Sequence, residues 1–373
     1  MNLLKRLELL NKKLWRPPLR LLFRNKPKSG SVKPEEVRKI LILRLDQLGD
    51  MIVSTPLFRA LKRRLPGVEI GVFGGPDNLS VIQNDGNITW TYGRSRNPLR
   101  TFLEAMKARK ERYDVLLNLN LNPSLTGGII ANLAAPSATK VMGMMDASSR
   151  SFYNIVLGIE RDYRTPMVCH MLRFLEVFGI SAEREDRRPY IVLGKKPDAR
   201  VERFMADHGL RRSGFIVLNP FAGGRKRDMG KPQAREVASQ LSARSGMPTV
   251  ILWAPGRDEE AGSIAGGGDR SLIIKGPSGC SILETASLIS HCLFVISPDT
   301  SIVHIADAVG KPVVAMYSRL VPSFREWYPQ SVTYRALYAD RYVCDLPPAS
   351  ITAAACEILD EFQSGRQQPS IGK

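Results

Sequence analysis

Short β-branched runs alternate with longer stretches of helical apolar spacing along most of the chain. That alternation restricts the fold to parallel strands joined by crossover helices. The expected strands of the first half are Ile40–Leu45, Val68–Phe73, Val115–Leu119 and Lys140–Gly143. Those of the second half are Tyr190–Leu193, Phe215–Asn219, Thr249–Trp253, Ser271–Ile274, Leu293–Ser297 and Val313–Tyr317. Between them the spacing predicts helices at Thr55–Leu65, Leu99–Arg112, Met171–Phe178, Gln233–Ser245 and Leu283–Ser290, with a last one at Ile351–Phe362. Two segments, Lys39–Asp50 and Phe294–His304, share one design: a buried strand, a polar turn, then an apolar helical pattern (Met51–Leu65 and Ile302–Val309). Their polar residues fall at carboxyl strand ends, where open α/β sheets hold their ligands.

A chain of 373 residues is too long for one ordinary α/β domain and fits two. The charged stretch Ser181–Pro189, followed by Gly194–Pro197, reads as the linker, and Phe215–Pro220 opens a second sheet as Ile40–Leu45 opens the first. The division expected is a basic arm at 1–38, α/β domains at 39–188 and 189–362, and a disordered tail at 363–373.

The net charge of +18 is concentrated at one end, because the first 39 residues carry twelve Lys/Arg against three Glu. Leu3, Leu4, Leu7, Leu10 and Leu14 recur there at helical spacing, followed by Trp15, Leu19, Leu21, Leu22 and Phe23 around Pro17-Pro18. Such a basic amphipathic segment suits an anionic membrane surface; a solvated basic arm without a partner is the alternative. Removing residues 1–36 is expected to leave the rest folded. Lys5, Arg6, Lys12 and Lys13 interrupt any secretory apolar run, and no stretch reaches the length of a membrane span. Five scattered cysteines without a C-x-x-C pair argue against a disulfide framework or a zinc site and for a reducing cytoplasm. No nucleic-acid motif accompanies the basic residues, so nucleic acid is not an expected partner.

Asp50 follows Gly49 at the first strand end, where it reads either as a helix N-cap or as a general base facing an interdomain cleft. Asp46 is the competing carboxylate. Gly223–Arg227 follows the strand Phe215–Asn219, and its two glycines and three adjacent cations suit a diphosphate, or equally a solvated basic turn. Asp299, Thr300 and Ser301 open a helix whose free N–H groups favour a phosphate, and His304 lies one turn further, as a packed residue or a ligand contact. G-x-G-x-x-G and G-x-x-x-x-G-K-[ST] are both absent, which disfavours an NAD enzyme and an NTPase. With no D-x-D pair either, neither metal nor cofactor is expected, and the cations and helix terminus would have to carry leaving-group charge.

Leu43–Asp50 running into Thr55–Leu61, Tyr113–Leu119, Asn219-Pro220 with Lys226-Arg227, and Pro298–Ala306 with Gly310–Val314 together resemble the heptosyltransferase family, glycosyltransferase family 9. Its members include the ADP-heptose transferases of lipopolysaccharide core assembly. The resemblance spans Ile40 to about Leu359. It implies a GT-B fold of two Rossmann-like domains facing a cleft, the nucleotide-sugar donor on the C-terminal one and the acceptor on the N-terminal one, with inversion and no metal. By motif position, Asp50 would deprotonate the acceptor hydroxyl and Lys226 would neutralise the departing diphosphate. Thr300 and Ser301 would offer N–H groups to the phosphates, Asp299 would orient that loop or hold the ribose, and Gly49, Arg227 and His304 would lie close by. The chain departs from the family pattern at Ser301, at Asp228-Met229 and at Ser318–Pro322, all in the donor half. An acidic membrane glycolipid such as a lipid A–Kdo core fits the basic arm as acceptor, at the inner face of the cytoplasmic membrane. A non-catalytic nucleotide-sugar-binding scaffold of the same fold is the alternative; the joint presence of Asp50, Lys226 and Asp299 speaks against it.

Overall fold

A computed structural model of the chain describes residues 17–365 apart from 123, 145, 147, 148, 184, 225, 226 and 268–271. The leucines of the expected arm from Leu3 to Leu14, Trp15, Lys226 and the last eight residues therefore lie outside the described residues. The chain divides into two compact units between Arg187 and Arg188.

The first unit holds β1 (Lys39–Arg44), β2 (Glu69–Gly74), β3 (Trp90–Gly93), β4 (Val115–Asn118), β5 (Thr139–Met142) and β6 (Ile155–Val156). They form one parallel sheet in the order β3-β2-β1-β4-β5-β6. Ile40 to Leu43 are wholly buried, the continuous apolar run that a parallel sheet covered on both faces requires. The order grows left from β1 and right from β4, so right-handed crossovers send the helices to opposite faces. α3 (Thr55–Arg64) packs against α6 (Met167–Leu172), and α4 (Pro98–Lys110) against α5 (Leu125–Ala134). The pattern expected as one helix over Met51–Leu65 is interrupted at Val53-Ser54, which separates α2 (Leu48–Ile52) from α3. The expected helix Met171–Phe178 continues α6 only as a 3-10 turn, Arg173–Phe178.

The arm is not separate from this unit over its second half. After a helix α1 at residues 17–22, Phe23 packs on the α4/α5 side of the core. The backbone N–H groups of Asn25, Lys28 and Val32 then donate to the carbonyls of Ser151, Asn154 and Val177. Asn25 Nδ2 donates to Asn132 Oδ1 at 2.7 Å and to the Phe152 carbonyl at 2.9 Å, while its Oδ1 accepts from Lys140 Nζ at 3.3 Å. Burial pushes the Lys140 ammonium down to about 8. An arm ending at residue 38 is thus corrected: residues 23–32 are part of the first unit, and a truncation at residue 36 would remove their bonds.

The second unit carries β7 (Ile216–Leu218), β8 (Thr249–Ile251), β9 (Ile273–Lys275), β10 (Val295–Pro298), β11 (Val313–Ser318) and β12 (Tyr334–Ala339), parallel in the order β12-β11-β10-β7-β8-β9. α8 (Lys231–Ser245) packs with α9 (Asp258–Ala265) and α12 (Pro348–Gln363). α10 (Ile282–His291) packs with α7 (Lys195–Asp207) and α11 (Ser301–Ala308). The expected strand Tyr190–Leu193 belongs to neither sheet among the described residues, and Gly194–Pro197, expected in the linker, instead starts α7 with Gly194 as N-cap. Gln363, expected in the tail, is the last residue of α12.

Candidate active site

In the first unit the site grows from the end of β1. Arg44, the last strand residue, is 1 % exposed, and its guanidinium is shared out among the turn that follows. Nη2 donates to Asp50 Oδ1 at 3.0 Å, Nη1 to Asp46 Oδ2 at 3.4 Å and to the Leu119 carbonyl at 2.7 Å, and Nε to the Asp50 carbonyl at 3.0 Å. Asp50 is not the N-cap. Gln47 is, and Asp50 stands at the third helical position, its Oδ2 accepting from the Gln47 N–H at 3.0 Å in a capping box. Gly49, expected close to the site, is a buried helical residue of α2 next to Asp50. Asp46 is more open, 41 % exposed at its side chain against 17 % for Asp50. Its carboxyl is held above the usual range, first by the low-dielectric strand end and then by the Asp50 charge, with Arg44 opposing.

A groove opens beside this turn. About 390 Å³ of it is lined by Asp46, Gln47, Leu48, Asp77, Asn78 and Arg94 to Arg96. It shares Pro76, Asp77, Arg94, Ser95 and Arg96 with a larger hollow of about 810 Å³, which continues to Arg100, Leu103, Met106, Lys107 and Lys110 of α4. Arg94, Arg96, Arg100, Lys107 and Lys110 face only Asp77 and Glu104 as acids along the 810 Å³ hollow, so it is electropositive. The sequence reading missed this groove, since its cations are spread over a strand end and a helix rather than one motif.

In the second unit β7 is followed directly by Asn219, whose Nδ2 donates to Ser297 Oγ at 2.9 Å, to the Phe221 carbonyl at 2.9 Å and, more loosely, to Thr300 Oγ1 at 3.4 Å. This amide ties the ends of β7 and β10 together. Thr300 is the N-cap of α11, its Oγ1 accepting from the Ile302 N–H at 3.2 Å, and Ser301 is the first helical residue. Arg227 reaches this strand end, with Nη1 donating to the Asp299 carbonyl at 3.1 Å and standing 3.7 Å from Asp299 Oδ2. Burial pushes the Asp299 carboxyl up, against the pull of that guanidinium. Asp228 closes the loop by accepting from the Ala222 N–H at 2.6 Å and from Arg257 Nη2 at 3.0 Å. Arg227, Asp299, Thr300 and Ser301 are therefore brought together. His304 is 5 % exposed and meets the edge of Trp327 at 5.5 Å between ring centres, so it sits in the packing behind the helix start.

Beside Thr300 and Ser301 lies a pocket of about 330 Å³, at the lower end of the size range of small-molecule sites. Phe221, Leu252, Trp253, Pro277 and Ile282 form its apolar walls, and Asn219, Cys280 and Thr285 add polar atoms. Trp253 is fixed by its indole N–H donating to the Gly276 carbonyl at 3.1 Å. Burial raises the Cys280 thiol, with Glu284 adding to the effect. These wall residues were also absent from the sequence reading; Trp253 and Cys280 belong to no motif and converge only through the sheet order.

Two Rossmann-like units, each with its polar residues gathered at the carboxyl ends of a parallel sheet, are the architecture of the GT-B fold. A crystal structure of a family 9 glycosyltransferase from Veillonella parvula superposes with a TM-score of 0.75 at 17 % identity, over 87 % of this chain and 97 % of that one. The E. coli heptosyltransferase WaaC with ADP superposes with a TM-score of 0.70 at 16 % identity, over 86 % and 99 %. Lipopolysaccharide heptosyltransferase 3 of E. coli is 22 % identical over 343 residues, 85 % of this chain and 98 % of its own length. The sequence model of glycosyltransferase family 9 (heptosyltransferase) matches residues 104–343, so the chain belongs to that family and is a glycosyltransferase using a nucleotide sugar.

Proposed function

We propose that the protein transfers a heptose from ADP-heptose to a lipopolysaccharide core or related membrane glycolipid, with inversion and without a metal ion. The observation that carries the donor half is the 330 Å³ pocket with the start of α11 at one side. Its apolar walls suit a nucleobase, and the N–H groups and dipole of the eight-residue helix suit a diphosphate next to it. Arg227, with Lys226 from the same loop, supplies the positive charge that a departing diphosphate needs. Asp299 holds the loop by pairing with Arg227. Structures of relatives carry ADP and an ADP-heptose analogue, which favours adenine over other bases.

The acceptor half rests on the first unit. Asp50 takes the proton of the acceptor hydroxyl, held in place by Arg44 and the Gln47 N–H, so that the oxygen attacks the anomeric carbon as the nucleotide leaves. Asp46 is the second reading for this base, favoured by its greater exposure and raised proton affinity. The electropositive groove beside both suits an acceptor carrying carboxylates or phosphates, and names of relatives place them in lipopolysaccharide synthesis. Attachment to the cytoplasmic face of the inner membrane is the place for such a reaction, with the basic arm as one contact. Among the described residues no helix is long and apolar enough to cross a membrane.

Calorimetric titration with ADP, UDP, GDP and CMP, in EDTA and then with Mg²⁺, tests the donor reading. Selective ADP binding in EDTA is the expected result. Preference for UDP or GDP would redirect the sugar, and no binding to any of the four would favour the non-catalytic scaffold.

A further inference from the structure

Most large hydrophobic side chains left in solvent on the first unit share one layer. Among its described residues these are Leu21, Leu22, Leu99, Phe102, Leu103 and Tyr163, and all but Tyr163 stand on α1 and α4. Leu99, Phe102 and Leu103, with the partly buried Met106, follow a spacing of three and four residues and so form one stripe about 100° wide along α4. Of that stripe the fold uses only Met106, which packs in part against the core cluster; Leu99, Phe102 and Leu103 are left exposed. α4 is held by its opposite face, where Ala105 and Ala108 are wholly buried in the core cluster that also takes Phe23, just after α1. α4 therefore has two apolar faces, one packed and one wet, which a helix that is only a structural crossover does not need.

Cations border the wet stripe. Arg100 and Lys107 stand on one side of it and Arg109 on the other, with Lys110 at its end; all four are exposed. The one acid of the helix, Glu104, is paired with Lys107 at 2.5 Å. An apolar stripe with a cationic margin matches an interfacial helix, whose apolar side chains enter the acyl boundary while Lys and Arg remain among anionic headgroups. A second copy of the chain fits less well, because a two-fold contact would set these cationic margins against each other. A polyanion such as RNA would answer the charge but leave the leucines and Phe102 unused.

We propose that α4, with α1 in the same layer, is a docking face for a bilayer containing anionic phospholipid. Leu103, Met106, Lys107 and Lys110 belong both to α4 and to the wall of the 810 Å³ groove, so docking brings the mouth of that groove to the lipid surface. The inference adds to the proposed arm a contact made by a folded helix, and it is independent of which sugar is transferred.

The test is flotation of the full chain with phosphatidylglycerol/phosphatidylethanolamine vesicles and with phosphatidylcholine vesicles. Alongside it run L99S/F102S/L103S, R100E/K107E and a chain lacking residues 1–16. The wild type is expected to float with the anionic vesicles only. The triple serine variant, whose substitutions lie on exposed positions and should leave the melting temperature unchanged, is expected to lose about tenfold or more in partition. The charge reversal should lose binding comparably. Vesicle binding by the triple serine variant equal to that of wild type would overturn the α4 proposal. If the truncated chain alone lost binding, the arm would remain as the anchor and α4 would not. A triple serine variant that kept vesicle binding but had a lower oligomeric state than wild type in sedimentation would mark the face as a self-association surface instead. No binding of the wild type would overturn both membrane contacts, while leaving the nucleotide titration unaffected.

Discussion

The residue with most resting on it is Asp50, because one carboxylate serves two ends: it closes the first turn of α2 and is the proposed proton acceptor. The two uses are separable by substitution. Asp50→Asn keeps an amide oxygen for either Arg44 or the Gln47 N–H but removes the basicity, so turnover should fall by roughly 10²–10⁴ with ADP binding intact. Steady-state rates and calorimetry on the same preparation check both parts. Near-normal turnover in that variant, with a comparable loss in Asp46→Asn, would transfer the role to Asp46. Position in sequence made this strand end legible as a place for a carboxylate, since a buried run stopping at Asp46–Asp50 has little else to become. It could not show which of the two carboxylates is held and which is open, because that is decided by Arg44, whose buried guanidinium fans out to Asp46, Asp50 and Leu119.

At the scale of elements, the start of α11 joins stability to binding. Thr300→Val removes the hydroxyl that accepts from the Ile302 N–H and loosens the bonds to Ser297 and Asn219. A loss of about 1 kcal/mol in urea unfolding is expected, as for an N-cap, together with weaker ADP binding; intact affinity with reduced stability would take this helix start out of the donor site. Central strands were readable from the sequence because a strand buried on both faces carries a continuous apolar run, as in Ile40–Leu43 of β1 and Leu293–Ile296 leading into β10. Edge strands were not, apart from β9, which overlaps the expected Ser271–Ile274. β3 and β12 keep most of their residues half-buried, so Trp90–Gly93 and Tyr334–Ala339 lack that signature, and β6 has only two residues. Tyr190–Leu193 erred in the opposite direction: Ile191 is buried but belongs to neither sheet among the described residues. The 330 Å³ pocket escaped for a related reason, since its walls come from Phe221, Trp253, Pro277 and Ile282, which meet only once the strand order is known.

At the scale of the whole molecule, the sequence carried the repetition of two α/β units but misjudged where the first one begins. A chain lacking residues 1–16 should unfold in urea at the same midpoint as the full protein. One lacking residues 1–36 should lose stability, by about 1–3 kcal/mol for the Asn25 contacts alone, because Asn132 and Lys140 are left buried without that partner. Equal midpoints for the two truncations would mean that the segment docks without supporting the fold. The docking of residues 23–32 also bears on how the protein is made. Every strand pair of the first sheet is parallel, so none closes as a hairpin, and the segment that precedes β1 in the chain binds Ser151, Asn154 and Val177, which lie towards the end of its unit. The nascent first unit therefore cannot close this seam until nearly all of it has been translated.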